Sequence, residues 1–214
     1  MNFSYIKYVG CDLDQTLYPK SPEIDTAIQA NIYTTLGHIK HITQEEAKNL
    51  FYKYYPGISG RKTLIALGLG PDDAEKVVQD ALENADLTPF LKPDPKVLSI
   101  LTMLGIKYPL TLITGSNQKL AYEKLKSLQI PAQLFKHIIT GEISKSDGTA
   151  FKEWMNYYPG STPEQFLYIG DRKSTDVDLP LTLGMKAILV NVAEQDANLP
   201  VLQLKSFKEI MNKM

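Results

Sequence analysis

Five short, mainly apolar segments, separated by helical or polar stretches, are the feature of this sequence that most constrains its fold. They are YIKYVGC at 5–11, PLTLIT at 109–114, LFKHII at 134–139, FLYI at 166–169 and MKAILV at 185–190. Apolar runs of this length are typical of strands that are buried on both faces of a sheet. Strands that alternate with helices are joined by right-handed crossovers and lie parallel. The sequence therefore predicts an α/β fold with a doubly wound, Rossmann-like parallel sheet.

Residues 22–86 interrupt this alternation, because their apolar residues recur at helical spacing and predict helices alone. A proline-rich connector then leads into the next helix. We therefore expect a core domain formed by residues 1–18 and 93–214, with a small all-helical cap domain, residues 19–92, inserted after the first strand. Near the end of the chain, residues 199–211 predict a surface helix.

The charge and the cysteine content exclude several classes of partner. The formal net charge is −1, so there is no general basic field that would attract nucleic acid or an anionic membrane. No apolar run is long enough to span a bilayer, and the first ten residues lack the pattern of a secretion signal. The single cysteine, Cys11, cannot form an internal disulfide and suits a reducing compartment. We expect a cytoplasmic protein that is a monomer or a homodimer.

Polar residues follow the predicted strands at the ends where open parallel sheets bind their ligands. They are Asp12 and Asp14 after the first strand, Thr114, Gly115, Ser116 and Asn117 after the second, Lys145 after the third, and Asp171 and Asp176 after the fourth. Each alone has a simpler explanation, because aspartate favours turns, threonine caps helices and a lone lysine is usually solvated. For the lysine, the alternatives are Lys119, Lys152 and Lys173. Taken together, the polar residues after the four strands predict that the chemistry lies at this edge of the sheet.

Four motifs, in this order along the chain, resemble those of the haloacid dehalogenase (HAD) superfamily of phosphotransferases. They are DLDQT at 12–16, LTLITGSN at 110–117, EISKSDGTAF at 142–151 and YIGDRKSTD at 168–176. The resemblance covers nearly the whole chain, and residues 19–92 lie where that family inserts a helical cap. One departure is Ser146, which stands where the lysine motif of the family has a proline.

The continuation of the first motif, TLYP at 16–19, is similar to the pyrimidine 5′-nucleotidase-like branch of that family. This branch also has a glycine-containing loop in its cap, and the corresponding loop here is YYPGISGRKTL at 54–64. The loop departs from the tyrosine-glycine-threonine pattern of the branch at Pro56. We expect Tyr18 to line the substrate pocket, and Arg61 either to meet a second anionic group of the substrate or simply to be exposed beside a helix start.

The resemblance implies a role for each of the main polar residues. Asp12 would attack phosphorus and form an aspartyl phosphate, and Asp14 would act as general acid and then as general base. Thr114, with residues 115–117 beside it, would hold the nonbridging oxygens of the phosphate. Lys145 would add a positive charge to offset those of the phosphate and the carboxylates.

Mg²⁺ is the cofactor that the resemblance implies. Asp12, the backbone carbonyl of Asp14 and Asp171 would bind it, and Asp176 would orient Lys145 or a metal-bound water. The cation has a clear physical purpose, because each pair of like charges at about 4 Å costs roughly 4 kcal/mol at an effective dielectric constant of about 20. Without it, a carboxylate could not approach a phosphate dianion.

We therefore expect an Mg²⁺-dependent phosphomonoester hydrolase, with a small phosphorylated metabolite as its partner and a (pyrimidine) nucleoside 5′-monophosphate as one candidate substrate. Asp14 favours phosphoryl transfer over dehalogenation, because dehalogenating relatives need no proton-handling carboxylate there. One alternative is a sugar phosphomutase similar to β-phosphoglucomutase, which would return the phosphoryl group to a sugar. Another is a catalytically silent binding protein that keeps the HAD fold.

Overall fold

The computed structural model of the chain describes residues 3–55 and 60–213. The chain divides into two compact units. The first consists of Met1–Pro19 together with Leu91–Met214, and the second is Lys20–Phe90. Among the described residues, no helix has both the length and the apolar character needed to cross a membrane.

The first unit contains a six-stranded sheet in which every neighbouring pair of strands is parallel. The strands are β1 (Tyr8–Cys11), β2 (Leu110–Ile113), β3 (His137–Ile139), β4 (Phe166–Gly170), β5 (Lys186–Leu189) and β6 (Leu202–Gln203). Their order is β3-β2-β1-β4-β5-β6, so the direction of winding reverses at β1. This confirms the predicted α/β class, and a reversal point of this kind is where such sheets bind their ligands.

Four helices of the first unit pack around this sheet. They are α5 (Pro95–Lys107), α6 (Gln118–Ser127), α7 (Thr149–Asn156) and α8 (Leu179–Thr182), the last preceded by a π-helical turn at Lys173–Asp178. The fully buried Trp154 of α7 lies under the middle of β1, where a Cβ atom on Gly10 would be only 2.7 Å from its ring. Gly10 therefore permits close packing of α7 beneath the strand that leads to Asp12.

The second unit contains helices joined by short loops, and no strand occurs among its described residues. Its helices are α1 (Pro22–Lys40), α2 (Gln44–Tyr52), α3 (Gly60–Ala66) and α4 (Pro71–Glu83), followed by a short 3₁₀ turn at Thr88–Phe90. Ser21 caps α1, and Thr43 with Glu46 forms a capping box at the start of α2. Such caps satisfy backbone N–H groups that would otherwise lack partners, which explains why the helices begin at these residues.

The end of the chain differs from the predicted surface helix. Residues 202–203 instead form the edge strand β6, and only Phe207–Asn212 is helical, as a 3₁₀ segment. Val201, Leu204 and Phe207 are all buried. Their spacing of three residues is compatible with a helix, but the backbone hydrogen bond from Leu204 to Leu189 extends the sheet. The prediction of a surface helix was therefore wrong.

Candidate active site

Asp12 lies immediately beyond β1 and is paired with a lysine from another part of the chain. Its backbone N–H donates to the carbonyl of Ile169 in β4, so the hydrogen bonding between β1 and β4 continues to Asp12. Lys145 Nζ lies 2.6 Å from Asp12 Oδ1 and 2.8 Å from Asp176 Oδ1. Thr16 Oγ1 donates to the other oxygen of Asp12 at 3.2 Å. The lysine thus connects two acidic groups that are distant in sequence.

The electrostatic surroundings of Asp12 disfavour its charged form. Burial raises the pKa of Asp12 to about 7, and the nearby Asp176, Asp171 and Asp14 also raise it, while Lys145 acts in the opposite direction. Burial by itself would lower the pKa of Lys145, yet Asp12 and Asp176 hold it above its ordinary value. Lys145 is therefore charged, and the acidic groups around it carry more negative charge than one lysine can offset.

Three carboxylates of this region could hold a metal ion. Asp12, Asp171 and Asp176 each place one oxygen within 4.8 Å of the other two. Counted with Lys145 alone, these three groups in their ionised forms sum to two negative charges, which is the magnitude of the charge of one divalent cation. Carboxylate oxygens are the ligands that hard cations such as Mg²⁺ prefer. Both the charge and the donor type therefore fit Mg²⁺.

Gly170 allows Asp176 to reach this cluster. A Cβ atom on Gly170 would lie 2.2 Å from Asp176 Oδ2, well inside contact distance. The same carboxylate accepts a hydrogen bond from the backbone N–H of Arg172 at 2.9 Å. The last residue of β4 thus leaves room for a carboxylate that is held by the following loop.

Asp14 lies in a separate network of hydrogen bonds. Its Oδ1 accepts from Tyr18 Oη and from Lys124 Nζ, each at 2.6 Å. Its Oδ2 accepts from Ser116 Oγ at 2.7 Å and, more weakly, from Thr114 Oγ1 at 3.3 Å. Both oxygens of this carboxylate are therefore held by side chains of the protein, and the group is only 5% exposed.

This network has the opposite effect on acidity from that at Asp12. Burial would raise the pKa of Asp14, but the charge of Lys124 and the hydrogen bonds from Lys124, Tyr18 and Ser116 lower it below its ordinary value. The pKa of Tyr18 is well above its ordinary value, because the hydroxyl is buried beside this carboxylate. Tyr18 is thus a hydrogen-bond donor to an ionised Asp14.

Most of the residues predicted from sequence for the site lie in these two networks. Asp12, Lys145 and Asp176 share one, Asp14, Tyr18, Thr114 and Ser116 share the other, and Asp171 lies within the acidic cluster. Asn117 caps α6 by accepting a hydrogen bond from the backbone N–H of Leu120. The carbonyl oxygen of Gly115 lies so close to Gly141 that a Cβ atom on residue 141 would collide with it, so only glycine fits there.

The predicted cap loop is only partly described. Its residues 56–59, including Pro56, lie outside the described residues. Arg61 belongs to the second unit, where its Nε lies 2.9 Å from Glu75 Oε2 and both side chains are about half exposed. A role for Arg61 in substrate binding stays a prediction.

Lys124 is the one member of the Asp14 network that sequence reasoning missed. It lies on α6 with Ala121, Leu125 and Leu128, all of which are buried. This spacing of three, four and seven residues is that of a helix face turned toward a core. A lysine in such a stripe was the available signal, because lysine is almost never fully buried unless it is paired.

Comparisons with known proteins show the family and the fold of this chain. A family model described as haloacid dehalogenase-like hydrolase matches residues 11–190. In the comparison with curated proteins, no sequence matches. A HAD phosphatase from Thermococcus onnurineus is 19% identical, with a TM-score of 0.64, and each chain covers 97% of the other.

Two further solved structures are described as proteins with other activities. A candidate β-phosphoglucomutase from Thermotoga maritima is 20% identical with a TM-score of 0.61, and a 2-haloacid dehalogenase from Pseudomonas syringae is 20% identical with a TM-score of 0.57. In both cases 97% of each chain is covered. At these identities, the similarity shows the fold alone.

Proposed function

Because the chain belongs to the haloacid dehalogenase-like hydrolase family, we propose that it is an Mg²⁺-dependent phosphomonoesterase in which Asp12 is the nucleophile. The observation that carries this proposal is the pairing of Asp12 with Lys145, next to Asp171 and Asp176 and at the point where the sheet reverses. A nucleophilic carboxylate needs positive charge beside it before it can approach a phosphate dianion.

Mg²⁺ would be held by Asp12 and Asp171, with Asp176 and the backbone carbonyl of Asp14 as further oxygen donors. When bound, it offsets charge on the phosphate and on the carboxylates. Lys145 holds Asp12 through one oxygen, so that the carboxylate keeps one orientation toward the phosphorus atom.

The reaction would proceed in two steps. Asp14 is ionised in the free protein and first takes up one proton, for which the monoanionic form of the phosphomonoester is a source. Asp12 attacks phosphorus in line, an aspartyl phosphate forms, and the bond to the alcohol breaks as Asp14 gives that proton to the leaving oxygen, which returns Asp14 to its ionised form. Asp14 then takes a proton from the water that attacks the aspartyl phosphate, for which the ionised form is needed. The hydrogen bonds to Asp14 favour that ionised form. Thr114 and the backbone N–H groups nearby would hold the nonbridging oxygens.

Asp14 also supports phosphoryl transfer over dehalogenation. A reaction that expels halide needs no proton on its leaving group, whereas an alkoxide leaving from phosphorus does. This chain places a buried, fully hydrogen-bonded carboxylate two residues from the proposed nucleophile. We propose a small phosphorylated metabolite as substrate, with nucleoside 5′-monophosphates and sugar phosphates as the two classes to compare.

The decisive experiment measures phosphate release from an aryl phosphate and from a panel of nucleotides and sugar phosphates, with Mg²⁺ and with a chelator. We expect turnover that requires Mg²⁺ and that is abolished in Asp12→Asn, which keeps the shape of the side chain but removes the nucleophile. Isomerisation of a sugar phosphate without net phosphate release would instead indicate a mutase. A folded wild-type protein without turnover on the panel would contradict the proposal.

A further inference from the structure

Lys124 is a buried cation for which the proposed reaction has no direct use. Its side chain is 0% exposed, and it lies in the second turn of α6, on the face that carries Ala121, Leu125 and the C-cap residue Leu128. Its neighbours on the other face, such as Lys126, are exposed. An apolar side chain of similar length would complete the stripe.

Stability does not explain why a lysine occupies this position. Removing an ammonium group from water is costly, and the attraction of a buried partner often does no more than offset that cost. Replacing a buried ion pair with apolar residues of similar volume is commonly neutral or stabilising. A lysine at this position, in contact with Asp14, therefore suggests a role in the chemistry of its partner.

That partner is the proposed proton-handling group. Lys124 Nζ lies 2.6 Å from Asp14 Oδ1 and 2.8 Å from Ser116 Oγ, and Ser116 Oγ in turn lies 2.7 Å from Asp14 Oδ2. Lysine, serine and carboxylate thus form a closed triangle in which the lysine reaches one carboxylate oxygen directly and the other through the serine hydroxyl. Tyr18 adds a further donor to the oxygen that Lys124 holds.

We propose that Lys124 is a positioning residue that, together with Ser116 and Tyr18, fixes the carboxylate of Asp14 for proton transfer. The inference rests on the proposed phosphatase function. Asp14 follows β1 in a loop, and α6 is the element that supplies the cation from 110 residues away. A carboxylate held through both oxygens has one orientation toward the leaving oxygen or the attacking water, and misplacement by about 1 Å can lower a rate about 10²-fold.

The test is a double-mutant cycle with Lys124→Met and Asp14→Asn, measured as kcat and KM for an aryl phosphate at saturating Mg²⁺. We expect Lys124→Met to lower kcat about 10²-fold and to leave KM within about twofold. In the Asp14→Asn background, the same substitution should have almost no effect on kcat, because Lys124 acts through Asp14. Lys126→Met, on the exposed face of the same helix, is the matched control and should behave as the wild type.

Equal losses of kcat in both backgrounds would overturn the proposal, since Lys124 would then act independently of Asp14. Unchanged kcat in folded Lys124→Met would overturn it as well. Should Lys124→Met fail to fold because Asp14 is left without its cation, Lys124→Gln, which keeps a hydrogen-bond donor, replaces it in both backgrounds. A loss of kcat in the Asp14 background, together with equal kcat for Asp14→Asn and the double variant, supports the proposal, and a lower kcat for the double variant than for Asp14→Asn contradicts it.

A structural measurement separates this inference from the proposed function. In a crystal structure of Lys124→Met, compared with that of the wild type, we expect the Asp14 carboxylate to move out of hydrogen-bond distance of Ser116 or Tyr18. If the carboxylate stays in place, Lys124 does not position it. If the wild type itself shows no Mg²⁺-dependent turnover, the proposed phosphatase function is refuted. The displacement of the Asp14 carboxylate in Lys124→Met can still be observed in that case.

Discussion

Two aspartates that are separated by a single residue have opposite electrostatic surroundings in this protein. Asp12 is paired with Lys145 but faces further carboxylates, and its pKa is raised to about 7 by burial and by those charges. Asp14 is paired with Lys124 and accepts hydrogen bonds on both oxygens, so its pKa is lowered. Each carboxylate thus has its own lysine, and of these two described networks the one around Asp12 is where the carboxylates outnumber the lysine.

The close approach of Asp176 to Gly170 predicts that a single methyl group added at Gly170 would disturb the acidic cluster. Gly170→Ala would place Cβ 2.2 Å from Asp176 Oδ2, so the carboxylate must move away from Lys145. We expect Mg²⁺-dependent turnover to fall at least about tenfold and the free energy of unfolding to fall by about 1–3 kcal/mol, as is usual for overpacking. Steady-state kinetics and thermal unfolding would measure the two effects.

Gly105→Ala, which adds a methyl group to α5, is the control for this variant and should keep wild-type turnover. If Gly170→Ala retained full activity and stability, Asp176 could be moved freely, and its proposed part in holding Lys145 and the cation would be contradicted.

At the scale of elements, the strands and the points where they end could be predicted because burial on both faces gives a continuous apolar run. The residues just beyond those runs lie at the edge where parallel sheets bind their ligands, and they are polar for that reason. Asp12, Thr114 and Asp171 could therefore be identified from their positions. Lys124 could not be assigned its partner, because the contact to Asp14 joins residues 110 apart and depends on how α6 packs. The strand β6 was missed because its two residues are too few for a periodic pattern.

Two helix glycines provide a matched test of packing at the level of elements. A Cβ atom on Gly105 of α5 would meet its nearest neighbour, Leu110 Cδ1, at 3.6 Å, whereas one on Gly37 of α1 would lie 2.9 Å from the backbone oxygen of Ile42. Gly105→Ala should therefore stabilise the protein by about 0.5–1 kcal/mol through helix propensity. Gly37→Ala should destabilise it by about 1–3 kcal/mol.

Urea or thermal unfolding monitored by circular dichroism would measure both changes, and phosphate release should be unaffected in Gly105→Ala. Equal stability changes for the two variants would show that helix propensity, rather than the close approach of the Ile42 carbonyl to Gly37, determines the outcome.

For the molecule as a whole, the candidate metal site links folding to cation binding. Its acidic groups come from the two separate segments of the first unit, Asp12 from one and Asp171 and Asp176 from the other, and are brought together by the pairing of β1 with β4. A cation that binds the folded chain and not the unfolded one raises the free energy of unfolding by about 2.7 kcal/mol at a concentration 100 times its Kd. Mg²⁺ should therefore raise the melting temperature of the wild type.

The size of this effect should depend on pH, because Mg²⁺ and a proton compete for Asp12. The pKa of Asp12 in the metal-free protein is raised from 3.8 to about 7, so this group is mainly ionised at pH 8 and mainly protonated at pH 5.5. At a pH about 1.5 units below the pKa, apparent affinity falls about 30-fold, which reduces a stabilisation of about 2.7 kcal/mol to about 0.8 kcal/mol. The sign follows from the raised pKa, since stabilisation by Mg²⁺ grows as pH rises through 7.

Differential scanning fluorimetry with and without Mg²⁺ at both pH values would measure these increments, with Ca²⁺ as a second hard cation for comparison. Asp171→Asn, which removes one charge from the cluster, should lose most of the Mg²⁺ increment at pH 8, whereas Asp178→Asn should keep it, because Asp178 pairs with the exposed Lys173 instead. An increment that is equal at both pH values, or that survives in Asp171→Asn, would show that Mg²⁺ binds elsewhere and that the acidic cluster is balanced by Lys145 and its other neighbours alone.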